Sequence, residues 1–583
     1  MKATAADLLV ERLQAWGVDV VFGLPGDGIN GIMEALRQRQ DAIRFVQVRH
    51  EESAAFMACA YAKFTGRLGV CLATSGPGGQ HLLNGLYDAK LDGQPVLAIT
   101  GLQYHDLIGT YTQQDVALDK VFMDVARFNE RIMGPAHVEN VVDVACRTAL
   151  SCRAVAHLTF PVDLQSAPAE RKGSVHNVPF HSWDGSATSA RLPAPADLEK
   201  AAAVLNAGKR VVILAGRGAL HAADELIQVA ERLGAPIATA LLGKGAIPDD
   251  SPYAVGTVGL LGTAPSQEAL EDCDTLLIVG SSFPYVEYYP RPGSARAVQI
   301  ELDAVRLGLR YPIEVGLVGD SRVALGQLLP LLGPKADRSF LKKAQDGMRR
   351  WRALIEERAT RQDRPMKPQV VAWELGKRLP ENAIVVSDSG TVASWFAQYI
   401  AARRGQRFSL SGTLASMANG LPYAIAAQIA HPDRPCFAFV GDGGFSMLMA
   451  ELATCVKYRL PVRIVVIKNN SLGMIKWEQM VFLGHPEYGC ELQPIDFAAF
   501  ARACGAHGVT IEDPAHCGHA LDQALALDGP VVIEAVVDPH EPPLPPKISL
   551  EQGKQFALAL ARGTPNREKI ALTVLSDKVR ELL

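Results

Sequence analysis

Short apolar runs alternate with helical repeats along most of the chain. Runs such as Ile43 to Val48, Pro435 to Val440 and Val462 to Ile467 predict strands that are buried on both faces. Between such runs, apolar residues recur at helical spacing, as they do from Ser53 to Phe64. Strands that alternate with helices predict parallel sheets covered by helices. The pattern therefore predicts an α/β fold with three doubly wound parallel-sheet domains and a helical tail at the C-terminus.

Breaks in this alternation set the predicted domain limits. A polar stretch with several Pro and Ser residues lies between residues 168 and 195, and a charge-rich helical pattern runs from Lys335 to Arg364. Both stretches are typical of connectors between domains. We predict domains at residues 1–165, 190–335 and 365–540, followed by a tail at residues 541–583.

Two predicted strands end in segments that carry side-chain oxygens. Val440-Gly441-Asp442-Gly443-Gly444 ends one strand, and Asn469-Asn470 ends another. In an open parallel sheet, ligands bind at the carboxyl ends of strands, so Asp442 and Asn469 are expected in one crevice. Mg2+ prefers oxygen ligands, and the glycines would let backbone N–H groups approach a phosphate. The alternative is a pair of ordinary turns, because Gly-Asp-Gly and Asn-Asn are common turn formers.

This spacing resembles the signature of thiamine diphosphate enzymes. In that family an Asp, an Asn and a backbone carbonyl two residues beyond the Asn hold Mg2+ against the diphosphate. The resemblance therefore implies Asp442, Asn469 and the carbonyl of Ser471 as the metal ligands.

A second match comes from the N-terminal block. Glu51 stands where a predicted strand becomes a helix, and the segments 74–79 and 84–89 follow at the spacing of the family's pyrimidine-binding domain. The resemblance implies that Glu51 bonds to a ring nitrogen of the cofactor's aminopyrimidine, which then activates the thiazolium carbon. The alternative is a carboxylate in a first helical turn, favoured only by the helix dipole.

The resemblance also implies the other contacts with this cofactor. Met417 matches the bulky apolar side chain that bends the cofactor, and Asp388 begins the loop that touches the diphosphate from the other side. As a lone residue, Met417 would more often be core filler. The remaining cofactor-binding residues implied in this way are Gly26, Thr74, Gly78, Asn84, Gly390, Thr391, Ala415 and Met474.

The middle block resembles the FAD domain of pyruvate oxidases and quinone-linked pyruvate dehydrogenases. Its predicted strands are Arg210 to Leu214, Pro236 to Leu241, Thr275 to Val279 and Ala297 to Leu302. The resemblance implies FAD contacts from Gly216, Gly259, Gly262, Gly280, Ser281, Phe283, Glu301 and Asp320. Glu301 stands where the family usually has Asp, so the carboxylate is kept but lengthened. The alternative is an inherited flavin-type domain that is empty or purely structural.

Three residues match the substrate pocket of pyruvate oxidases. They are His81, Gln113 and Glu478. Without the resemblance, His81 and Gln113 would be read as ordinary surface or core groups. The aromatic residue that usually precedes the Gln is Thr112 here, which predicts a more open pocket and a preference not restricted to pyruvate.

The resemblance covers nearly the whole chain and implies oxidative decarboxylation of pyruvate or a related 2-oxo acid. Electrons would pass through FAD to a quinone or oxygen. The alternative is a non-redox carboligase of the acetolactate synthase type with structural FAD. Trp477 lies one residue before the position of the synthase Trp, and the segment from Gly280 to Tyr285 lacks the synthase Arg. A catalytically silent homologue is disfavoured by the intact Glu51, Asp442 and Asn469.

Composition agrees with a large soluble enzyme. The chain has 583 residues, of which 48% are hydrophobic, and a formal net charge of -4, so it can bury several cores. No basic cluster stands out against 62 acidic residues, which argues against nucleic-acid binding. No signal-peptide pattern and no membrane-spanning apolar run are visible. The ten cysteines show no CxxC pair and are predicted to be free thiols in the cytoplasm.

The resemblance implies a homodimer or homotetramer with shared active sites, in which the pyrimidine domain of one chain faces the diphosphate domain of another. The tail carries apolar residues near helical spacing: Ile570, Ala571, Val574, Leu575, Val579 and Leu582. Such a stripe usually docks on the protein's own surface. The resemblance adds an alternative, peripheral contact with the membrane where a quinone is reduced, although the mixed charge of the tail makes that contact weak.

Overall fold

The structure is a computed structural model. It describes residues 3–169, 175–178, 189–543, 545, 547 and 549–582, with side chains in the last helix described as far as residue 575. Pro546, Ile548 and the side chains of Val579 and Leu582 therefore lie outside the described residues.

The first sheet has six parallel strands in the order β2-β1-β3-β4-β6-β5. They are β1 Val20–Gly23, β2 Arg44–Gln47, β3 Gly69–Ala73, β4 Val96–Leu102, β5 Phe128–Arg131 and β6 Val155–Pro161. The helices around it are α1 Ala5–Ala15, α2 Asn30–Gln38, α3 Glu51–Thr65, α4 Pro77–His81, α5 Leu83–Leu91, α6 Leu118–Val121, α7 Val138–Cys152 and α8 Val162–Gln165.

The second sheet also has six parallel strands, in the order β12-β11-β10-β7-β8-β9. They are β7 Val211–Ala215, β8 Ile237–Thr239, β9 Ala254–Thr257, β10 Thr275–Val279, β11 Arg296–Glu301 and β12 Val315–Val318. Its helices are α9 Pro195–Ala207, α10 Ala223–Leu233, α11 Ala264–Asp272 and α12 Ser321–Leu328, and α13 Ser339–Ala359 follows as the predicted charged connector. β8 is shorter than predicted, because Leu241 already begins a 3-10 turn whose Gly243 packs on the carbonyl of Ala215.

The third sheet repeats the arrangement with the order β14-β13-β15-β16-β18-β17. Its strands are β13 Ile384–Ser387, β14 Arg407–Ser409, β15 Cys436–Gly441, β16 Arg463–Lys468, β17 His507–Ile511 and β18 Val531–Val536. Its helices are α14 Pro368–Arg378, α15 Thr391–Tyr399, α16 Gly420–Ala430, α17 Asp442–Leu448, α18 Leu452–Tyr458, α19 Gly473–Val481, α20 Phe497–Ala503 and α21 Cys517–Leu525. The predicted fold of three parallel-sheet α/β units is confirmed; the exact domain limits stay predictions.

The first and third units share one hydrophobic core. Small residues along α3 let it lie close to α16, and Phe56 of α3 meets Tyr423 of α16 edge-on with ring centroids 6.3 Å apart. Below this contact, Lys63 donates to Asp92 at 2.6 Å, and both side chains are buried. Asp92 also accepts the N–H of Thr413 at 2.9 Å. The loop that carries Met417 is thus tied to the first unit.

The tail forms two helices, α22 Leu550–Ala561 and α23 Arg567–Leu582. Ala559 and Ile570 of the tail are fully buried against Trp477 and Met480 of α19. Arg562 also donates to the carbonyl of Gly484 at 2.9 Å, just past α19. The described part of the tail therefore docks on the chain's own surface, as its helical spacing favoured. No helix in the described part of the chain is long and apolar enough to cross a membrane.

Candidate active site

Asp442 and Asn469 lie at the carboxyl ends of neighbouring parallel strands. Their strands β15 and β16 pair in register, so the chain turns away at the same edge of the sheet. Asp442 accepts the N–H of Asn470 at 2.5 Å, and Asn469 accepts the N–H of Ser471 at 3.0 Å. Burial raises the pKa of Asp442. A cation beside this buried carboxylate would offset the cost of its charge, so the oxygen donors fit a hard divalent ion.

These residues line a cavity of about 1870 Å³ that runs from the third unit to the second. The predicted residues of the third unit on its wall are Gly390, Thr391, Ala415, Met417, Gly441, Asp442, Gly443, Gly444, Asn469, Ser471, Met474 and Glu478. Those of the second unit are Gly216, Gly259, Gly280, Ser281, Phe283, Glu301 and Asp320. One continuous space thus joins the predicted metal and diphosphate site to the predicted flavin site.

Asp388 lies behind the wall of this cavity. Its carboxyl group is buried, accepts the N–H of Gly420 at 3.1 Å and has a pKa that burial raises to about 7. The other oxygen, Oδ2, has no hydrogen-bond partner among the described residues. A Cβ on Gly444 would lie 2.0 Å from that oxygen. Only glycine fits there, which keeps the Gly-Asp-Gly-Gly turn against the loop that follows β13.

A second cluster forms around Glu51 in the first unit. The Nδ1 atom of His81 lies 2.9 Å from Oε2 of Glu51. A Cβ on Gly78 would lie 3.0 Å from Oε1 of Glu51 and 2.8 Å from Cγ2 of Thr74. A Cβ on Gly26 would approach Thr74 to 2.5 Å. The structure therefore brings these five predicted residues together around one carboxylate.

The Glu51 cluster does not line the large cavity. None of its five members is on the cavity wall within the chain as described, and neither is Asn84 or Gln113. Asn84 instead donates to Ser416 at 3.0 Å, beside Met417. Gln113 is exposed on the loop after β4, next to the half-buried Thr112. Within a single chain, the two predicted halves of the thiamine diphosphate site thus do not form one pocket.

The flavin-side residues sit at the ends of central strands. Gly216 and Gly280 follow β7 and β10, and a Cβ on Gly216 would lie 2.4 Å from the carbonyl of Gly280. Glu301 ends β11, and its Oε1 accepts the N–H of Leu302 at 2.9 Å. Asp320 caps α12 and lies 2.9 Å from Nε2 of His221.

Gly262 departs from its predicted place. A Cβ on Gly262 would lie 2.2 Å from the carbonyl of Thr257, and its own carbonyl accepts the side-chain amide of Gln398 at 3.1 Å. It is absent from the cavity wall formed by the described residues. Its role in the structure is a close backbone turn behind the cavity.

Six arginines of the described chain line the cavity and none was predicted; three of them, Arg153, Arg217 and Arg306, lie near one another. Arg153 comes from the first unit, while Arg217 and Arg306 come from the second. Burial and the neighbouring Arg217 lower the pKa of Arg153 to about 10. Converging guanidinium groups suit an anion such as a phosphate, so the donor set fits a dinucleotide such as FAD. Arg217 stands in the short Gly-Arg-Gly segment, whose single charge was the only signal in the sequence.

Three family models match separate parts of the chain. They are the N-terminal thiamine pyrophosphate-binding domain at residues 3–122, the central domain at 198–328 and the C-terminal thiamine pyrophosphate-binding domain at 388–535 of thiamine pyrophosphate enzymes. Thiamine pyrophosphate is another name for thiamine diphosphate. Each model falls within a different one of the three α/β units, and the central model spans all six strands of the second sheet.

Relatives match over almost the whole length. A putative thiamine pyrophosphate-containing protein, YdaP, of Bacillus subtilis (strain 168) is 40% identical over 579 residues, 99% of each chain. Pyruvate oxidase of Lactiplantibacillus plantarum is 32% identical over 99% of this chain and 96% of its own. A probable acetolactate synthase large subunit of Methanococcus aeolicus is 30% identical over 92% of each chain.

Proposed function

Since the chain belongs to the thiamine pyrophosphate enzyme family, we propose that it oxidatively decarboxylates pyruvate or a related 2-oxo acid, using thiamine diphosphate, Mg2+ and FAD. The substrate loses carbon dioxide and two electrons, and its acyl group is taken by water or phosphate. The electrons pass through FAD to a quinone or oxygen. The observation that carries this proposal is the single cavity shared by Asp442 and Glu301.

When bound, thiamine diphosphate supplies a carbon nucleophile and electron sink for decarboxylation, and FAD supplies a two-electron acceptor. The chain's own residues hold and orient these groups. Asp442, Asn469 and the carbonyl of Ser471 hold Mg2+ with oxygen ligands, and the glycines after β15 leave room for a diphosphate. Met417 lies within 3.2 Å of the place of a Cβ on Gly443, so it packs beside the diphosphate turn.

Glu51 holds a proton at the aminopyrimidine ring in this proposal. Glu51 as a whole residue is 5% exposed, so water competes little for the proton. The Nδ1 atom of His81 lies 2.9 Å from Oε2 of its carboxyl group. Glu478 on α19, together with Gln113, orients the 2-oxo acid. Arg153, Arg217 and Arg306 bind the phosphates of FAD.

The active site is completed by a second copy of the chain, in a homodimer or homotetramer. This part of the proposal is supported by the separation of the Glu51 cluster from the cavity within the described chain. Mixing inactive Glu51→Gln chains with inactive Asp442→Ala chains tests it. Hybrid dimers should regain activity, because one of their two sites receives both intact residues. No recovery after proven subunit exchange would place both residues in one chain's site.

The proposed reaction is tested by adding pyruvate to the yellow protein without oxygen. We expect the flavin absorbance to bleach and to return when a quinone or oxygen is admitted. A protein that contains no flavin after purification with added FAD would contradict the proposal, as would a flavin that no 2-oxo acid reduces. Comparing pyruvate with longer 2-oxo acids then identifies the preferred substrate.

A non-redox carboligase is the second candidate. It is favoured by the acetolactate synthase relatives, one of which is 30% identical over 92% of each chain. In that reaction the decarboxylated intermediate attacks a second carbonyl compound, and the flavin stays oxidised. Formation of an acyloin product without flavin bleaching would select this candidate. The residues that hold Mg2+ and thiamine diphosphate are the same in both.

A further inference from the structure

The outer edge of the first sheet is covered by the third unit. Strand β2 lies at that edge, so its N–H groups alternate between a neighbouring strand and open space. The backbone N–H groups of Arg44 and Val48 point inward. Arg44 donates to the carbonyl of Asp19, just before β1, at 2.8 Å, and Val48 donates to that of Gly23, the last residue of β1, at 3.0 Å. The backbone N–H of Gln47 points outward and donates to the hydroxyl group of Tyr458 in α18, at 2.8 Å. The third unit therefore supplies partners that a further strand would otherwise supply.

Glu451 of the third unit binds backbone N–H groups that lie just beyond the end of β2. One carboxylate oxygen accepts the N–H groups of Arg49 at 2.7 Å and His50 at 3.1 Å. The other oxygen accepts the hydroxyl group of Thr454 at 2.7 Å. The Glu451 side chain is 0% exposed, so these bonds form away from competing water. A buried carboxylate of the third unit thus holds two backbone amides of the first.

The amides held by Glu451 form the turn that begins α3 with Glu51. His50 caps this helix, its Nδ1 accepting the N–H of Glu52 at 3.2 Å. The His50 ring also stacks on His81, with centroids 4.5 Å apart and planes inclined by 27°. His81 in turn contacts Oε2 of Glu51 at 2.9 Å. The path from Glu451 to the Glu51 carboxylate is therefore short and continuous.

We propose that Glu451 is a positioning residue that fixes the place of Glu51 from another part of the chain. The inference rests on the function proposed for Glu51. Glu451 ends a short 3-10 turn, Met449–Glu451. This turn directly follows α17, which begins with Asp442. One segment of the third unit therefore carries a proposed metal ligand at one end and the anchor for the Glu51 turn at the other.

Two substitutions separate reach from charge. Glu451→Gln keeps the side-chain length, and its amide oxygen still accepts both N–H groups. Glu451→Asp keeps the charge but withdraws the oxygens by one methylene. Because a misplacement of about 1 Å at a reacting group can cost about 100-fold in rate, we expect Glu451→Asp to lower kcat for pyruvate at least about tenfold. Glu451→Gln should stay within about threefold of the wild type, and KM should change little in both.

Amide hydrogen exchange gives a readout that does not depend on turnover. In full-length protein saturated with Mg2+ and thiamine diphosphate, Glu451→Asp should speed exchange at Arg49 and His50, and Glu451→Gln should not. Asp143→Asn is the matched control, since it alters a buried carboxylate of the first unit that pairs with Arg12 at 3.0 Å. It should lower the melting temperature without changing kcat or this exchange.

Wild-type kcat in Glu451→Asp despite faster exchange would overturn the inference. Equal loss of kcat in Glu451→Gln and Glu451→Asp would overturn it as well. If Glu451→Asp does not fold, Thr454→Val removes one partner of the carboxylate and should give a smaller change of the same kind. Glu51→Gln distinguishes failure of the proposed function from failure of this inference. If Glu51→Gln is fully active, the function proposed for Glu51 is wrong. If Glu51→Gln is inactive but Glu451→Asp is fully active, only the role of Glu451 is rejected.

Discussion

The Nδ1 atom of His81 lies 2.9 Å from Oε2 of Glu51, and the two side chains differ sharply in exposure. The Glu51 side chain is 7% exposed, whereas that of His81 is 45% exposed. A proton on the buried carboxyl group therefore has a direct route to solvent through a half-exposed imidazole. Imidazole can pass such a proton on because one of its ring nitrogens can accept a proton while the other donates one.

Glu51→Gln should keep thiamine diphosphate bound while slowing turnover. The amide has the same size, but it cannot exchange a proton with the cofactor ring, and loss of a positioned proton-transfer group costs roughly 100- to 10,000-fold. Calorimetry checks that thiamine diphosphate still binds, and steady-state kinetics with pyruvate check that turnover is slower. A near wild-type rate would remove the assigned role from Glu51.

Asp442→Ala should weaken the binding of Mg2+ and, with it, of thiamine diphosphate. High concentrations of both should restore part of the activity by mass action. The control is Asp496→Ala in the same unit, where the carboxylate caps α20 by accepting the N–H of Ala499 at 2.7 Å. This control should lose about 1 kcal/mol of stability and no cofactor affinity. Equal affinity in Asp442→Ala and the wild type would contradict the metal assignment.

Asp92→Ala should be one of the most destabilising substitutions in the chain. It leaves the buried ammonium group of Lys63 without its partner at 2.6 Å, which typically costs about 3–5 kcal/mol. The N–H of Thr413 also loses its acceptor. Adding Lys63→Met to Asp92→Ala should recover part of the loss, as measured by thermal unfolding. No recovery would show that the lost bonds to backbone N–H groups, rather than the lost ion pair, account for most of the destabilisation.

Acid should destabilise the first unit through His157. Burial lowers the pKa of His157 from 6.5 to about 3, and Thr100 and Asn129 bond to its neutral ring at 2.9 and 2.7 Å. Between these pKa values the unfolded chain binds a proton that the folded chain does not. Stability is therefore complete above pH 6.5 and falls by about 1.4 kcal/mol per pH unit below it. In His157→Gln, the melting temperature should depend less steeply on pH between these limits.

Truncation after Leu558 should lower turnover with every electron acceptor. It removes Ala559 and Ile570, which cover Trp477 and Met480 on α19. The same helix carries Glu478 towards the cavity, so loss of its backing should disturb the substrate pocket. Truncation after Asn566 removes only α23 and should have a smaller effect. If the chain truncated after Leu558 reduces an artificial dye at the wild-type rate, α19 keeps its position without the tail.

The strands of the diphosphate unit could be predicted because their apolar runs are uninterrupted. The run Pro435 to Val440 became β15, and Val462 to Ile467 became β16, each displaced by about one residue. Neighbouring parallel strands share their carboxyl edge, so the approach of Asp442 to Asn469 followed from sequence alone. The grouping of Glu51 with Thr74 and Gly78 was likewise implied by the spacing of the matched segments.

Contacts between distant segments left no such periodic signal. Arg153 and Arg217 reach one cavity only because two separate sheets pack side by side. Glu451 reads as an ordinary polar residue between two helices, and its partners Arg49 and His50 lie about 400 residues away. The position of Gly262 off the cavity wall could not be predicted for a related reason, because whether a glycine borders a cavity or another backbone depends on which face of the turn is covered.

The sealed edge of β2 also bears on how the protein is made. Gln47 and Tyr458, which closes this edge, are separated by 411 residues. At about 5–20 residues per second, a ribosome needs roughly 20–80 seconds to travel that distance. During this interval the first sheet has left the exit tunnel with a row of backbone amides that only water can satisfy. Its partners Glu451 and Tyr458 lie in the last third of the chain, so the first unit to emerge is completed late.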